Sequence, residues 1–191
     1  MSPDAQPAAT PRDPLALELL QSVVDVARAI FGAQASSIFL LDEEAGELVF
    51  QAVSGRGEEL LIGRRFPAGR GIAGWVAISG EPMVVDDLAA RSPFDRSLAE
   101  STQYVPDALM AVPLVHGGRV LGVLEVLDPA EQARSNLSEL DLLSLFARQA
   151  AVALRFVVRQ PAADRDDDAY LPSRHRTEAA RLLRELENLL G

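Results

Sequence analysis

The sequence has no cysteine and no lysine, and each absence excludes a chemistry. Without thiols there is no disulfide, no thiolate nucleophile, no Cys-ligated metal and no thioether-linked chromophore. All eighteen basic residues are arginine, so neither a P-loop nor a kinase strand lysine can be built, since both reach phosphates through an ammonium group. Basic charge is itself scarce: 28 acidic residues against 18 arginines leave a net charge of -10, which argues against a nucleic-acid footprint. No apolar run approaches the roughly 18 residues of a membrane span. The N-terminus "MSPDAQPAATPRDP" lacks the basic-then-apolar order of a signal peptide, so a cytoplasmic protein that binds no membrane is expected.

What is present begins with glycine. "GRGIAGWVAISGEPMVVDD", residues 69–87, holds a G-x-G-x-x-G in Gly69, Gly71 and Gly74. A dinucleotide fingerprint needs a strand before the glycines, a full helix after them and an acidic residue about 20 positions on. Here "RRFPA" precedes, the apolar run stops at Ser79-Gly80-Glu81-Pro82 after room for about two turns, and Asp86 and Asp87 arrive too soon. No Ser-His-Asp order, metal-ligand spacing or pair of catalytic carboxylates occurs elsewhere, so no catalysis and no cofactor is expected.

The length of 191 residues suits one domain with appendages. Residues 1–13 are Pro/Ala-rich and expected to be disordered, and Asp13-Pro14 suits a helix start. Leu15–Phe31 carries apolar residues at helical spacing in two stripes, one through Leu17, Leu20, Val24, Ala27 and Phe31, the other through Leu19, Val23, Val26 and Ile30. Residues 38–41 and 48–53 predict a hairpin, 71–79 a short helix, 83–85 a strand, and 94–103 a helix in a loop. "ALMAVPLVHGGRVLGVLEVLD" predicts two strands joined at Gly117-Gly118. A long helix follows to about Gln160, capped by Asn136 or Ser138. A charged linker over 161–172 and a short amphipathic helix over 173–191 close the chain.

Three of these stretches, "GRGIAGWVAISGEPMVVDD", "MAVPLVHGGRVLGVLEVLD" and "ELDLLSLFARQAAVAL", in that order, resemble the GAF domain family over about Leu15–Val158. The resemblance implies an α+β fold across residues 14–160: a twisted antiparallel sheet with the N- and C-terminal helices on one face and a ligand pocket under short helices on the other. It also implies that the glycines turn the chain into a short helix beside the pocket and bind no pyrophosphate. Family members act as small-molecule sensors, dimerisation modules and regulators of attached or separate signalling proteins. The cyclic-nucleotide-binding members share an Asn-Lys-Phe-Asp-Glu set, of which Phe94 and Asp95 occur here and the lysine does not. The absence of cysteine separates the chain from bilin-attaching photoreceptors and free methionine sulfoxide reductases. Haem calls for a pocket histidine, whereas His116 and His175 are expected to face solvent.

The expected function is therefore a non-catalytic regulatory module that senses a small molecule or dimerises, and signals in trans to a separate protein. The alternative is a pure interaction module with a filled, vestigial pocket. Candidate ligand-binding residues are Trp75, Asp86, Asp87, Phe94, Tyr104, Met110 and Glu125. Each has a plain structural reading as well: core packing for Trp75, Phe94 and Tyr104, turn capping for the aspartates, pocket filling for Met110. Glu125 stands out because "LGVLEVLD" places a carboxylate in an apolar strand on the face of Leu121, Val123 and Leu127, where it must pair with an arginine or line a polar pocket. A homodimer is expected through Leu15–Phe31 and Leu140–Val158, and the leucines of 177–190 suit docking on a partner.

Overall fold

Asp13 starts the first helix as its sequence suggests: its carboxylate accepts the Leu15 N–H at 2.9 Å, and Pro14 occupies the first turn of α1 (Pro14–Ile30). The computed structural model describes residues 13–56, 58–88, 104–131 and 137–159. The expected N-terminal segment before Asp13, the loop helix with Phe94, the linker and the 173–191 helix lie outside those residues.

After α1 come β1 (Ala35–Asp42), β2 (Glu47–Gly55), α2 (Glu58–Leu61), β3 (Arg65–Pro67), α3 (Gly71–Ser79) and β4 (Met83–Val85). The paired strands β5 (Leu109–His116) and β6 (Arg119–Leu127) and the helix α4 (Leu137–Arg159) complete the described elements. The strands form one antiparallel sheet in the order β3-β2-β1-β6-β5-β4. Gly117 and Gly118 turn β5 into β6 with φ of 58° and 78°, the doubly positive pattern of a tight type I′ turn. Pro113 is tolerated because β4 ends at Met83, opposite Ala111, leaving that part of β5 flanked by β6 alone.

Both faces of the sheet are covered, so successive side chains of the central strands enter different cores. On one face Ile38, Leu40, Met110, Val112, Leu124 and Val126 meet Leu20 and Val24 of α1, Phe31 just after it, and Leu143, Ala147 and Leu154 of α4. Fully burying each of these large side chains contributes roughly 2 kcal/mol. On the other face Phe39, Phe50, Phe66, Leu109 and Val123 meet Leu61, Ile72 and Val76 from α2 and α3. Of the first stripe Leu20, Val24, Ala27 and Phe31 are buried, while Leu17, a turn before Leu20, stays exposed. Leu15, Val26 and Ile30 of the outward face remain 58%, 40% and 50% exposed, and so do Leu145 and Val152 of α4 at 55% and 44%.

Two bulges break the strict alternation. Ile38 pairs with Ala52 and Phe39 with Phe50, so Gln51 is the extra residue of β2, and Phe50 and Val53 both enter the second core. Leu114 pairs with Gly122 and Val115 with Val120, so Leu121 is extra in β6. Leu121 consequently packs toward the helix-side core rather than beside Glu125, where simple alternation puts it.

The glycine motif has a steric explanation. Gly71 opens α3 with φ +67°, and a Cβ on Gly74 would lie 2.5 Å from the carbonyl oxygen of Ala68, so the chain folds back onto its own turn. Gly80 ends α3 in the left-handed conformation. The sequence gives little sign of α2 and β3, each only a turn or a few residues long. Ser138 lies inside α4, which begins at Leu137, so it does not cap that helix. Among the described residues no helix is long and apolar enough to cross a membrane.

Candidate functional site

A cavity of about 80 Å³ opens between the β1-β2-β6 part of the sheet and the segment that leads into α3. Its walls are apolar: Phe39, Phe50, Val53, Leu61, Phe66 and Ile72. The three phenylalanine rings interlock, with centroids 4.3 Å (Phe39–Phe50), 5.3 Å (Phe39–Phe66) and 5.8 Å (Phe50–Phe66) apart.

Glu125 lies on the floor. Its residue is 7% exposed, and in the sheet it stands between Ser37 of β1 and Ala111 of β5, two small neighbours that leave its carboxyl uncovered toward the cavity. The Ser36 hydroxyl donates to the Glu125 backbone carbonyl at 2.9 Å and fixes that point of the strand. The carboxyl group itself has no hydrogen-bond or ion-pair partner among the described residues, so the arginine partner that the sequence left open is not there. Burial alone pushes it up to about 8, far above its ordinary 4.5. Ser37, 3% exposed, lines the cavity directly across from it.

The mouth is polar. Tyr104 donates its hydroxyl to Asp128, whose other carboxylate oxygen accepts the Asp107 and Ala108 N–H groups at 2.8 and 2.9 Å. Burial first, and then this bond to Asp128, holds the Tyr104 phenol well above its usual range. Asp128 makes the clasp from a backbone with φ 47°, the only positive φ of a non-glycine residue among those described. Arg56, exposed just after β2, lies over the Tyr104 ring at 5.2 Å from its centroid, and Arg70 also lines the opening.

Of the seven candidate residues the cavity brings together two, Tyr104 and Glu125. Met110 lies on the opposite face, completely buried against the helices, because its strand neighbours Leu109 and Ala111 take the cavity side. Trp75 does not line the cavity: α3 buries Ile72, Ala73, Val76 and Ala77, which turns the indole outward to 43% exposure. Asp86 and Asp87 are exposed beyond the end of β4, and Phe94 lies outside the described residues. Sequence reasoning missed Arg56, Arg70 and Ser37. It also missed the phenylalanine trio, although Phe39 and Phe50 sit in apolar stretches of the expected hairpin. Among the described residues no three acidic or histidine side chains converge to hold a metal ion.

Comparison with known proteins agrees with this geometry. A family model described as GAF domain matches residues 16–154. The chain is similar to a probable 3',5'-cyclic phosphodiesterase pde-5 of Caenorhabditis elegans, at 24% identity over 141 residues, covering 69% of this chain and 19% of that protein. It is also similar to the cone cGMP-specific 3',5'-cyclic phosphodiesterase subunit alpha' of Mus musculus, at 33% identity over 90 residues, or 47% of this chain and 10% of that one. The chain thus spans a fifth or less of these two relatives. Among solved structures, the GAF domain of a phosphoenolpyruvate-protein phosphotransferase from Coxiella burnetii superposes with a TM-score of 0.68 at 21% identity, over 77% of this chain and 86% of that one.

Proposed function

The chain belongs to the GAF domain family, and from that premise we propose that it is a regulatory module without catalysis of its own, sensing a small molecule in the cavity above Glu125. The observation that carries the reading is the unpartnered floor carboxyl in an apolar cavity, an arrangement that costs stability until a ligand satisfies it. The position of Met110 supports it too. The vestigial-pocket alternative has Phe94, Tyr104 and Met110 filling the space; Met110 belongs to the other core, Tyr104 stands at the mouth, and Phe94 lies outside the described residues.

The phosphodiesterase relatives do not bring a cyclic nucleotide with them. The similarity covers only a small part of each, and the lysine of the cyclic-nucleotide set is missing from this chain.

The output we assign to the open apolar rows of α1 and α4, which suit a second copy of the chain and, through it, a separate signalling protein. A cytoplasmic site of action is part of the same proposal.

Thermal melting of the native chain against a metabolite library tests the sensing role. At least one compound should raise the midpoint of the native chain and leave that of Ser37→Leu, which fills the floor, unchanged. A library in which every stabilising compound acts equally on both proteins contradicts the proposal.

A further inference from the structure

We infer that the cavity takes a small zwitterion: an ammonium group seated on Glu125, an apolar body against Val53 and Leu127, and an anionic group on Arg56 at the mouth. The inference rests on the sensing role proposed above and names the ligand's chemistry.

The charges of the lining dictate the polarity. Among the described lining residues Glu125 is the only acid, at the closed end, and Arg56 and Arg70 are the cations, at the open end. Glu125 has no partner for its carboxyl. The Arg56 guanidinium has no hydrogen bond or ion pair among the described residues, only the Tyr104 ring beneath it. Arg70 is already engaged, and the Tyr104 hydroxyl is committed to Asp128, so neither competes for the floor. A lone cation would meet the mouth arginines unfavourably, and a lone anion would bring the floor carboxyl no opposite charge to pair with. A molecule carrying both charges satisfies each end.

The sheet register sets the separation of the two backbones. Glu125 pairs with Ser37 of β1 and Ser37 with Val53 of β2, three residues before Arg56, so they stand two strand spacings across and three residues along the sheet from each other, roughly 14 Å. The wall between them is apolar, formed by Val53 of β2 and Leu127 of β6, while the phenylalanine trio lies on the far side of Glu125. Ser37, across from Glu125, offers its hydroxyl oxygen to a second N–H of the ammonium.

Seating an ammonium on the floor also moves a proton. Burial keeps the carboxyl of the empty site up to about 8, so binding near neutral pH ionises it and releases about one proton to solvent. The other titratable groups lining the cavity are Tyr104, held above its usual range, and Arg56 and Arg70.

Calorimetry with three matched probes tests the inference on the full chain: 4-(2-aminoethyl)benzoate, 4-methylphenethylamine without the anion, and 4-ethylbenzoate without the amine. The zwitterion should bind at least about tenfold more tightly than either truncated probe. Glu125→Gln should abolish its advantage over 4-ethylbenzoate, and Arg56→Gln its advantage over the amine. Titration in buffers of different ionisation enthalpy should report the released proton, absent in Glu125→Gln. Equal binding of 4-ethylbenzoate and the zwitterion, retention of the preference in Glu125→Gln, or binding of none of the probes at about 10 mM overturns the inference. A neutral or purely anionic compound co-purifying with the native protein overturns it while leaving the sensing role intact. A library that yields no cavity-dependent stabilisation removes both.

Discussion

Tyr104 and Asp128, 24 positions apart in the chain, close the edge of the cavity through a hydroxyl-to-carboxylate hydrogen bond, and the same carboxylate holds the Asp107 and Ala108 amides. Asp128→Ala leaves three donors without an acceptor and should cost about 2 kcal/mol in urea unfolding. Asp128→Asn keeps a carbonyl oxygen for the amides and tolerates the positive φ, so it should cost about half as much. The Tyr104 phenol should titrate lower in both variants. A loss under about 0.5 kcal/mol for Asp128→Ala would refute the clasp.

Glu125 makes the empty protein pH-sensitive in a direction opposite to an ordinary paired carboxylate. Its folded value of about 8 exceeds the ordinary 4.5, so between those values the folded state holds a proton that the unfolded state has lost. Stability is therefore highest below that window, falls as pH rises through it, and levels off above it. The loss should be at most roughly a kcal/mol per pH unit. Asp42, lowered by its hydrogen bond to Arg65, acts in the other sense and only below its ordinary 3.8, outside the window. Melting profiles from acid to mild alkali should fall steeply for the native chain and flatten for Glu125→Gln, which stays neutral; parallel profiles would contradict this.

Gly74 and Gly69 belong to one motif and should respond differently. A Cβ at Gly74 meets backbone atoms of Ala68 and Gly69 at 2.5 and 2.9 Å, which cannot yield cheaply, and Gly74→Ala should lose roughly 2–3 kcal/mol. The nearest atom to a Cβ at Gly69 is the end of the Ile78 side chain at 3.8 Å, and Gly69→Ala should stay within about 0.5 kcal/mol. Equal losses would show that the motif serves something other than this close approach.

The open row of α1 predicts self-association. Val26 and Ile30 are exposed and outside both cores, so Val26→Glu with Ile30→Glu should leave the helical signal intact. Light scattering should give a dimer mass for the native chain and a monomer mass for the double variant. Val23 is a poorer probe, because it is half-buried against the helix-side core. A native chain that is already monomeric at micromolar concentration would sink this prediction.

The fold was largely legible because its period-2 and period-3.6 apolar patterns are long and punctuated by Gly and Pro. β4 and the β5–β6 turn followed from short runs beside such punctuation, whereas α2 and β3 were hidden in "GEELLIGRRFP", where glycines, arginines and a proline interrupt every pattern. The site was legible at Tyr104 and most plainly at Glu125, since a carboxylate inside an apolar strand is anomalous wherever the strand lies. Met110 was misassigned because an apolar residue in a strand buried on both faces carries no mark of which face it takes. The bulges at Gln51 and Leu121 shift that assignment further by adding residues that no propensity announces. Arg56 reaches the mouth only because β2 ends beside Tyr104, a tertiary fact absent from its local sequence.

The central claim is that the cavity above Glu125 holds a small molecule in the native protein, and mass spectrometry of what the gently purified chain releases on denaturation tests it most directly. The account predicts one compound released in near-stoichiometric amount from the native chain and lost from Ser37→Leu. Release of no compound, or of the same compounds in equal amount from both proteins, would contradict it.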